Sequence, residues 1–142
     1  MAFNGMVLSG GSFRAICFAG CIRFLEEMQT IDSIKTFVGT SAGSIICLCA
    51  SLGMTSTEII DFIKETILKD YITKLDFSEC FDILTTYGVN SGSFIERLIG
   101  DIVTKKLGVG DITFLELAKT TGKNLVVCVG NITKEKEEYW SV

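Results

Sequence analysis

Two short apolar runs constrain the fold of this chain more than any other feature. Gly5-Met6-Val7-Leu8 and Thr36-Phe37-Val38 each have strand length, stop at a glycine turn and lead into a stretch with helical spacing. After the first, the turn Ser9-Gly10-Gly11 opens onto Phe13, Ile16, Cys17, Gly20, Cys21, Phe24, Leu25 and Met28, the i, i+3, i+4 pattern of one helix face. That pattern predicts an inward apolar face, with Glu26 and Glu27 on the wet side and an end near Gln29-Thr30. After the second run, Gly39 begins a turn into Ala42 to Leu52, which is apolar nearly all round and therefore a central helix. Strand, helix, strand, turn, helix is the opening of a parallel sheet with helices on its faces.

The rest of the chain continues in the same style. Thr55-Ser56-Thr57-Glu58 is a capping box that opens a helix through about Lys69, with Ile59, Phe62, Ile63 and Ile67 inward. Asp70 to Asn90 has no sustained period and reads as loop, a place for a flexible substrate cover. Ser91 caps a helix with Phe94, Ile95, Leu98, Ile99 and Ile102 inward, and Thr113 to Glu116 is a second capping box opening a short helix to Thr121. Leu125 to Val129 reads as a continuous buried strand, and Glu138 to Val142 as a strand paired beside it after a turn around Asn131 to Lys136. At 142 residues this is one domain by size, long enough to bury roughly two-thirds of its unfolded surface. A parallel-sheet domain that stops on a strand, with no closing helix, is expected to be incomplete at its C-terminus.

Composition excludes several classes of function. The net charge is -4 and the cations are scattered singly or in short pairs such as Lys105-Lys106, so no nucleic-acid partner is expected. The longest apolar run, Ala42 to Met54, is short of the roughly 20 residues that cross a bilayer and is broken by Ser44, Ser51 and Gly53. Arg14 and Arg23 interrupt the only stretch that could serve as a secretory leader. The six cysteines sit mostly in apolar stretches and read as small core residues of a reducing compartment. Cytosol or a cytosol-facing membrane surface is the expected location. Cys47 and Cys49 point about 200° apart on a helix, and no histidine exists to complete a mixed metal site. No metal or organic cofactor is expected, and the oligomeric state is not legible.

Gly39-Thr40-Ser41-Ala42-Gly43 spells G-x-S-x-G at a strand-to-helix turn, the setting in which a serine is held exposed for nucleophilic attack. Such a serine needs small flanking residues, because the elbow brings neighbouring backbone very close; Gly39, Ala42 and Gly43 satisfy this. The upstream turn Ser9-Gly10-Gly11-Ser12-Phe13-Arg14 exposes successive backbone N–H groups and could form an oxyanion hole. A phosphate loop is the competing reading, but Ser12 and Ala15 break the G-x-G-x-x-G spacing and no Lys-Ser/Thr pair follows. The chain contains no histidine, so a Ser-His-Asp triad is excluded for these residues acting alone.

The pair Ser9-Gly10-Gly11-Ser12-Phe13-Arg14-Ala15 and Gly39-Thr40-Ser41-Ala42-Gly43, with the later Asp111 to Leu117 and Gly122 to Val127, resembles the patatin-like phospholipase family. That family's first motif is three glycines, any residue, Arg or Lys, and Gly; Gly10, Gly11 and Arg14 match, while Ser12 and Ala15 depart. The resemblance implies a three-layer α/β/α fold, of which residues 1–142 would be the N-terminal portion of one domain. It implies a lipid acyl hydrolase working without cofactor on a phospholipid or neutral lipid ester, in transient contact with a membrane surface. Ser41 would be the nucleophile, Gly39, Thr40, Ala42 and Gly43 its elbow, and Gly10, Gly11, Ser12 and Arg14 the oxyanion loop. Arg14 holds that loop or attracts an anionic headgroup, or is a solvated helix residue; these readings stay open.

The implied base is an aspartate in a later Asp-Gly-Gly or Asp-Gly-Ala motif, and this sequence has no Asp-Gly dipeptide. Each of Asp32, Asp61, Asp70, Asp76, Asp82, Asp101 and Asp111 has a plainer role at a surface, loop or cap. The base is therefore expected outside the chain. The alternative is a catalytically inactive fragment or lipid-binding module that keeps the family core.

Overall fold

Residues 3–68 and 92–142 are described by the structure, a computed structural model of the chain. The expected loop at 70–90, the Ser91 cap, Cys80, Asp70, Asp76 and Asp82 lie outside them. The chain divides into two compact units, Met1–Asp61 with Ile112–Val142, and Phe62–Asp111.

The first unit is built on a four-stranded sheet of β1 (Gly5–Leu8), β2 (Thr36–Thr40), β3 (Asn124–Asn131) and β4 (Lys136–Trp140), in that spatial order. The first three run parallel and β4 returns antiparallel to β3, so the sheet is mixed but mostly parallel. The register sets Met6 beside Phe37 and Phe37 beside Leu125, and all three are buried. One row of inward side chains thus crosses the parallel strands, as the alternation of a pleated sheet requires. The described part of the unit is an α/β arrangement, in keeping with the three-layer α/β/α expectation.

Helix α1 (Cys17–Glu27) follows a 3-10 turn at Ser12–Ile16, and α2 (Ala42–Ser51) packs against β2 and reaches β1 and β3. Residues Ile46 to Ser51 of α2 are all buried, as a helix apolar on every side must be. Its C-terminal end is held by Lys123, whose Nζ donates to the Ala50 carbonyl at 3.4 Å and lies 5.5 Å from the centre of the Phe37 ring. A cation there meets the negative end of the helix dipole. Helix α3 (Ser56–Phe62) opens on the expected box: Thr55 N–H donates to Glu58 Oε2 at 2.7 Å and Glu58 N–H to Thr55 Oγ1 at 3.2 Å. The second box, at Thr113 and Glu116, opens α5 (Phe114–Thr121).

Three expectations for this unit are corrected. Helix α1 presents the opposite face: Ala15, Ala19 and Ile22 are buried, while Cys17 and Cys21 are exposed and Phe24 and Met28 are 60% and 58% exposed. Helix α1 is apolar over far more than one face, so periodicity could not choose; the side bearing alanines, which lets backbones approach closely, is the covered one. Glu26 is not on the wet side. Its carboxylate accepts from the Ser56 N–H at 2.8 Å and the Ser56 hydroxyl at 2.5 Å, adding a long-range cap to α3. Finally, of the run Leu125 to Val129 only Leu125 is buried. On the opposite face of the sheet Val7 is 76% exposed, so inward and outward residues of these strands differ in cover.

The second unit contains Phe62, a π-helical turn at Ile63–Leu68 and α4 (Ser93–Leu107). Gly92 and Gly108, at φ 76 and 74, bound α4 with the left-handed backbone that glycine adopts without strain. Its buried residues are Leu98, Ile102 and Val103, whereas Ile95 and Ile99 face outward, contrary to expectation. The seam runs through 98 and 102, and Val103 completes it in place of the other two isoleucines. Lys105 Nζ lies 5.8 Å from the centre of the Phe62 ring.

Candidate functional site

At the C-terminal end of β2 the chain must turn within one residue from strand to helix. Ser41 makes that turn at φ 51 and ψ -132, a backbone conformation that costs a non-glycine residue about 1–3 kcal/mol and leaves its side chain exposed. The turn is held by the residue three positions on. Ser44 N–H and Ser44 Oγ both donate to the Ser41 carbonyl, at 2.9 and 2.6 Å. Thr40 Oγ1 donates to the Cys128 carbonyl at 3.4 Å, tying the elbow to the neighbouring strand.

The small residues around Ser41 are there for space. A Cβ on Gly39 would come within 2.5 Å of Ser44 Cα and 2.6 Å of Ser44 N, and a Cβ on Gly43 would collide with the carbonyl oxygen of Ser9. The elbow is therefore squeezed from both sides, β2 against the start of α2 and α2 against the end of β1. Helix α2 begins at Ala42 and points its positive end toward the serine.

The same close approach brings the glycine turn to the serine. A Cβ on Gly10 would lie 3.2 Å from Ser41 Cβ and 3.8 Å from Ser41 Oγ, so Gly10 borders the serine side chain directly. Ser12, which stands where the family pattern has its third glycine, takes φ 49, the left-handed region that glycine fills without cost. Arg14 N–H donates to the Gly11 carbonyl at 2.9 Å and closes the turn; its side chain is exposed. Ala15, at the position of the family's next glycine, is buried.

Gly10, Gly11, Ser12, Gly39, Thr40, Ser41, Ala42 and Gly43 are thus gathered at one end of the parallel strands. Among the described residues none hydrogen-bonds to Ser41 Oγ. Asp32 sits before the start of β2, and a five-residue strand alone separates it from Ser41 by about 16 Å. Asp61 is in α3, Asp101 in α4, and Asp111 precedes α5. No group of three or more potential metal ligands exists among the described residues. Cys47 and Cys49 are buried, and burial pushes each thiol up to about 12, so neither is a thiolate at neutral pH. Sequence reasoning missed Ser44, though a hydroxyl three residues into a helix is a known signal for bonding back to the turn. It also missed Glu26, for which no local signal exists.

A mostly parallel sheet with flanking helices, carrying an exposed serine at a strained strand-to-helix elbow against a glycine-rich turn, defines an α/β protein of the G-x-S-x-G type. Comparison with known sequences narrows the class. The patatin-like phospholipase family matches residues 6–137. The chain belongs to that family.

It is 35% identical over 140 residues to the probable lipid hydrolase 463L of Invertebrate iridescent virus 6, covering 98% of this chain and 47% of that protein. It is 25% identical over 139 residues to the uncharacterized protein R571 of Acanthamoeba polyphaga mimivirus, covering 97% of this chain and 45% of the relative. The chain spans about half the length of the curated relatives it matches. No solved structure matches it. No described helix is long and apolar enough to cross a membrane.

Proposed function

We propose that this chain carries the nucleophile and oxyanion loop of a serine lipid acyl hydrolase. The observation that carries the reading is the placement of Gly10 against the side chain of Ser41, whose backbone is held at φ 51. Family membership and the probable lipid hydrolase among the relatives support the lipid ester as substrate.

In the proposed reaction Ser41 Oγ attacks the acyl carbonyl carbon and its proton passes to an aspartate carboxylate supplied outside these residues. Backbone N–H groups of the Gly10–Ser12 turn, with Arg14 holding the turn, stabilise the oxyanion. Collapse breaks the ester bond, and the leaving alkoxide takes the proton from the aspartic acid. Water, deprotonated by the same carboxylate, then cleaves the acyl-serine ester and returns the proton to Ser41. A Ser-Asp dyad of this kind requires no histidine, in keeping with a chain that has none.

A fluorophosphonate probe tests the reading. In a protein continued through an Asp-Gly-Gly or Asp-Gly-Ala motif, the probe is expected to label Ser41 and to fail on Ser41→Ala, with ester hydrolysis lost in parallel. Residues 1–142 alone are expected to show trace turnover at most. Absence of both labelling and hydrolysis in the continued protein would overturn the proposal and leave a lipid-binding module.

A further inference from the structure

We propose that Ser44 is a positioning residue for Ser41: it keeps that serine out of the helix-capping role its place in the chain invites, and so leaves the Ser41 hydroxyl available for attack. This rests on the serine hydrolase reading for its purpose, but the geometry is independent of it. Ser41 is the residue immediately before α2, the N-cap position. A serine there ordinarily takes extended backbone, and its side-chain oxygen accepts from the N–H two or three residues on, here Gly43 or Ser44. Thr113, at the same position of α5, does this at φ -77 and ψ 158, its hydroxyl accepting from Glu116 N–H at 3.2 Å. Thr55, before α3, accepts from Glu58 N–H in the same way. Ser41 departs from both: it stands at φ 51 and ψ -132, and its side chain makes no capping bond. A lone pair spent on a cap would be withdrawn from nucleophilic attack.

The residue three positions on makes the difference. In α3 and α5 that residue is a glutamate, and its N–H goes to the threonine hydroxyl. In α2 it is Ser44, whose N–H goes to the Ser41 carbonyl at 2.9 Å while its Oγ donates to the same oxygen at 2.6 Å. The donor that would bind Ser41 Oγ is thereby spent on the main chain. Two bonds to one carbonyl also fix ψ of Ser41, because the peptide that carries this oxygen is planar. Ser44 cannot drift from its place: its Cα and N are the atoms that leave no room for a Cβ on Gly39, so its backbone lies tight against β2. A sparsely populated backbone conformation persists only where its surroundings over-determine it, and the Ser44 hydroxyl supplies the second constraint. With alanine at 44 one N–H remains on the carbonyl, and it is the same N–H that a relaxed Ser41 would take for its side chain.

The test uses the protein continued through an Asp-Gly-Gly or Asp-Gly-Ala motif. Ser44→Ala is expected to slow fluorophosphonate labelling of Ser41 by about three- to tenfold, the worth of one hydrogen bond, with kcat for ester hydrolysis falling alike and KM unchanged. Ser44→Thr, whose hydroxyl can make the same bond back along the helix, is expected to restore both. Ser51→Ala is the control: Ser51 Oγ donates to the Leu48 carbonyl at 2.8 Å, the same kind of bond at the far end of α2, and its loss should leave the labelling rate at the wild-type value. A second readout needs no activity. Ser41→Ala is expected to leave the urea midpoint of the wild type unchanged, since that side chain caps nothing, and to lower the folding equilibrium constant about fivefold in the Ser44→Ala background, where Ser41 has become a cap. Undiminished labelling of Ser44→Ala, an equal loss in Ser51→Ala, or additive effects of Ser41→Ala and Ser44→Ala on stability would each overturn the inference and leave the hydrolase reading standing. Coupled stabilities in a protein that neither labels nor hydrolyses esters would sink the hydrolase reading alone.

Discussion

Replacing Gly39 with alanine tests how the elbow is built. The backbone of Gly39 is not left-handed, so alanine is conformationally permitted and the only objection is space. A Cβ there would stand 2.5 Å from Ser44 Cα, 2.6 Å from Ser44 N and 2.8 Å from Gly43 C. All three are backbone atoms of the first turn of α2, so no side-chain rotation relieves the clash; α2 must move off β2, opening the buried Phe37 and Ile46 region. Overpacking costs about 1–3 kcal/mol, and a clash with immovable backbone belongs at the upper end, near 3. For a chain of this size that is a fall of about 10 °C in Tm, a large part of a typical total stability of about 5–15 kcal/mol. Gly20→Ala is the control: it lies in the exposed interior of α1 with nothing within 4 Å, and the alanine should gain about 0.5–1 kcal/mol from reduced chain entropy. Thermal and urea denaturation followed by circular dichroism give both numbers. A Gly39→Ala midpoint within about 2 °C of wild type, or a comparable loss in Gly20→Ala, would refute the steric account.

Further outcomes follow from the same geometry. Ser41→Gly, which releases the φ 51, ψ -132 backbone, is expected to raise stability by about 1 kcal/mol while removing the hydroxyl; urea midpoints measure it, and a loss of stability would deny the strain. Glu26→Ala strips two acceptor contacts from the buried Ser56 and should cost about 1–3 kcal/mol, with Glu26→Gln milder; an unchanged urea midpoint for Glu26→Ala would mean that the carboxylate caps nothing. Burial holds the Lys123 ammonium below its ordinary value of 10.5, against a smaller opposing pull from Asp32. The folded state therefore binds fewer protons than the unfolded one just below 10.5, so this group makes stability rise with pH through that alkaline window. Lys123→Met should remove that rise relative to wild type; an identical pH dependence of the two urea midpoints would contradict the assignment.

How much of this was legible beforehand depended on the range of the interaction. β1, β2, α2 and both capping boxes were readable because each is specified within a few consecutive residues: an apolar run ended by glycine, an unbroken apolar helix, a hydroxyl and a carboxylate three apart. The G-x-S-x-G stretch was readable for the same reason, since the demand for small residues at Gly39 and Gly43 is local. The outward face of α1 was not. Ile16, Cys17, Phe24 and Met28 are as apolar as Ala15, Ala19 and Ile22, and the hydrophobic pattern is satisfied by either side. Helix α4 failed in the same way at Ile95 and Ile99.

The sequence by itself thus determined the kind of elements, their order and the position of the serine, because backbone propensity, capping and turn sterics act between neighbours along the chain. Tertiary structure decided which helix faces are covered, that Glu26 serves α3 across 30 residues of sequence, and that Gly10 comes to rest against Ser41. Those outcomes depend on β1 and β2 lying side by side in parallel register. Pairing of distant segments is a property of the packed chain, which no local pattern encodes.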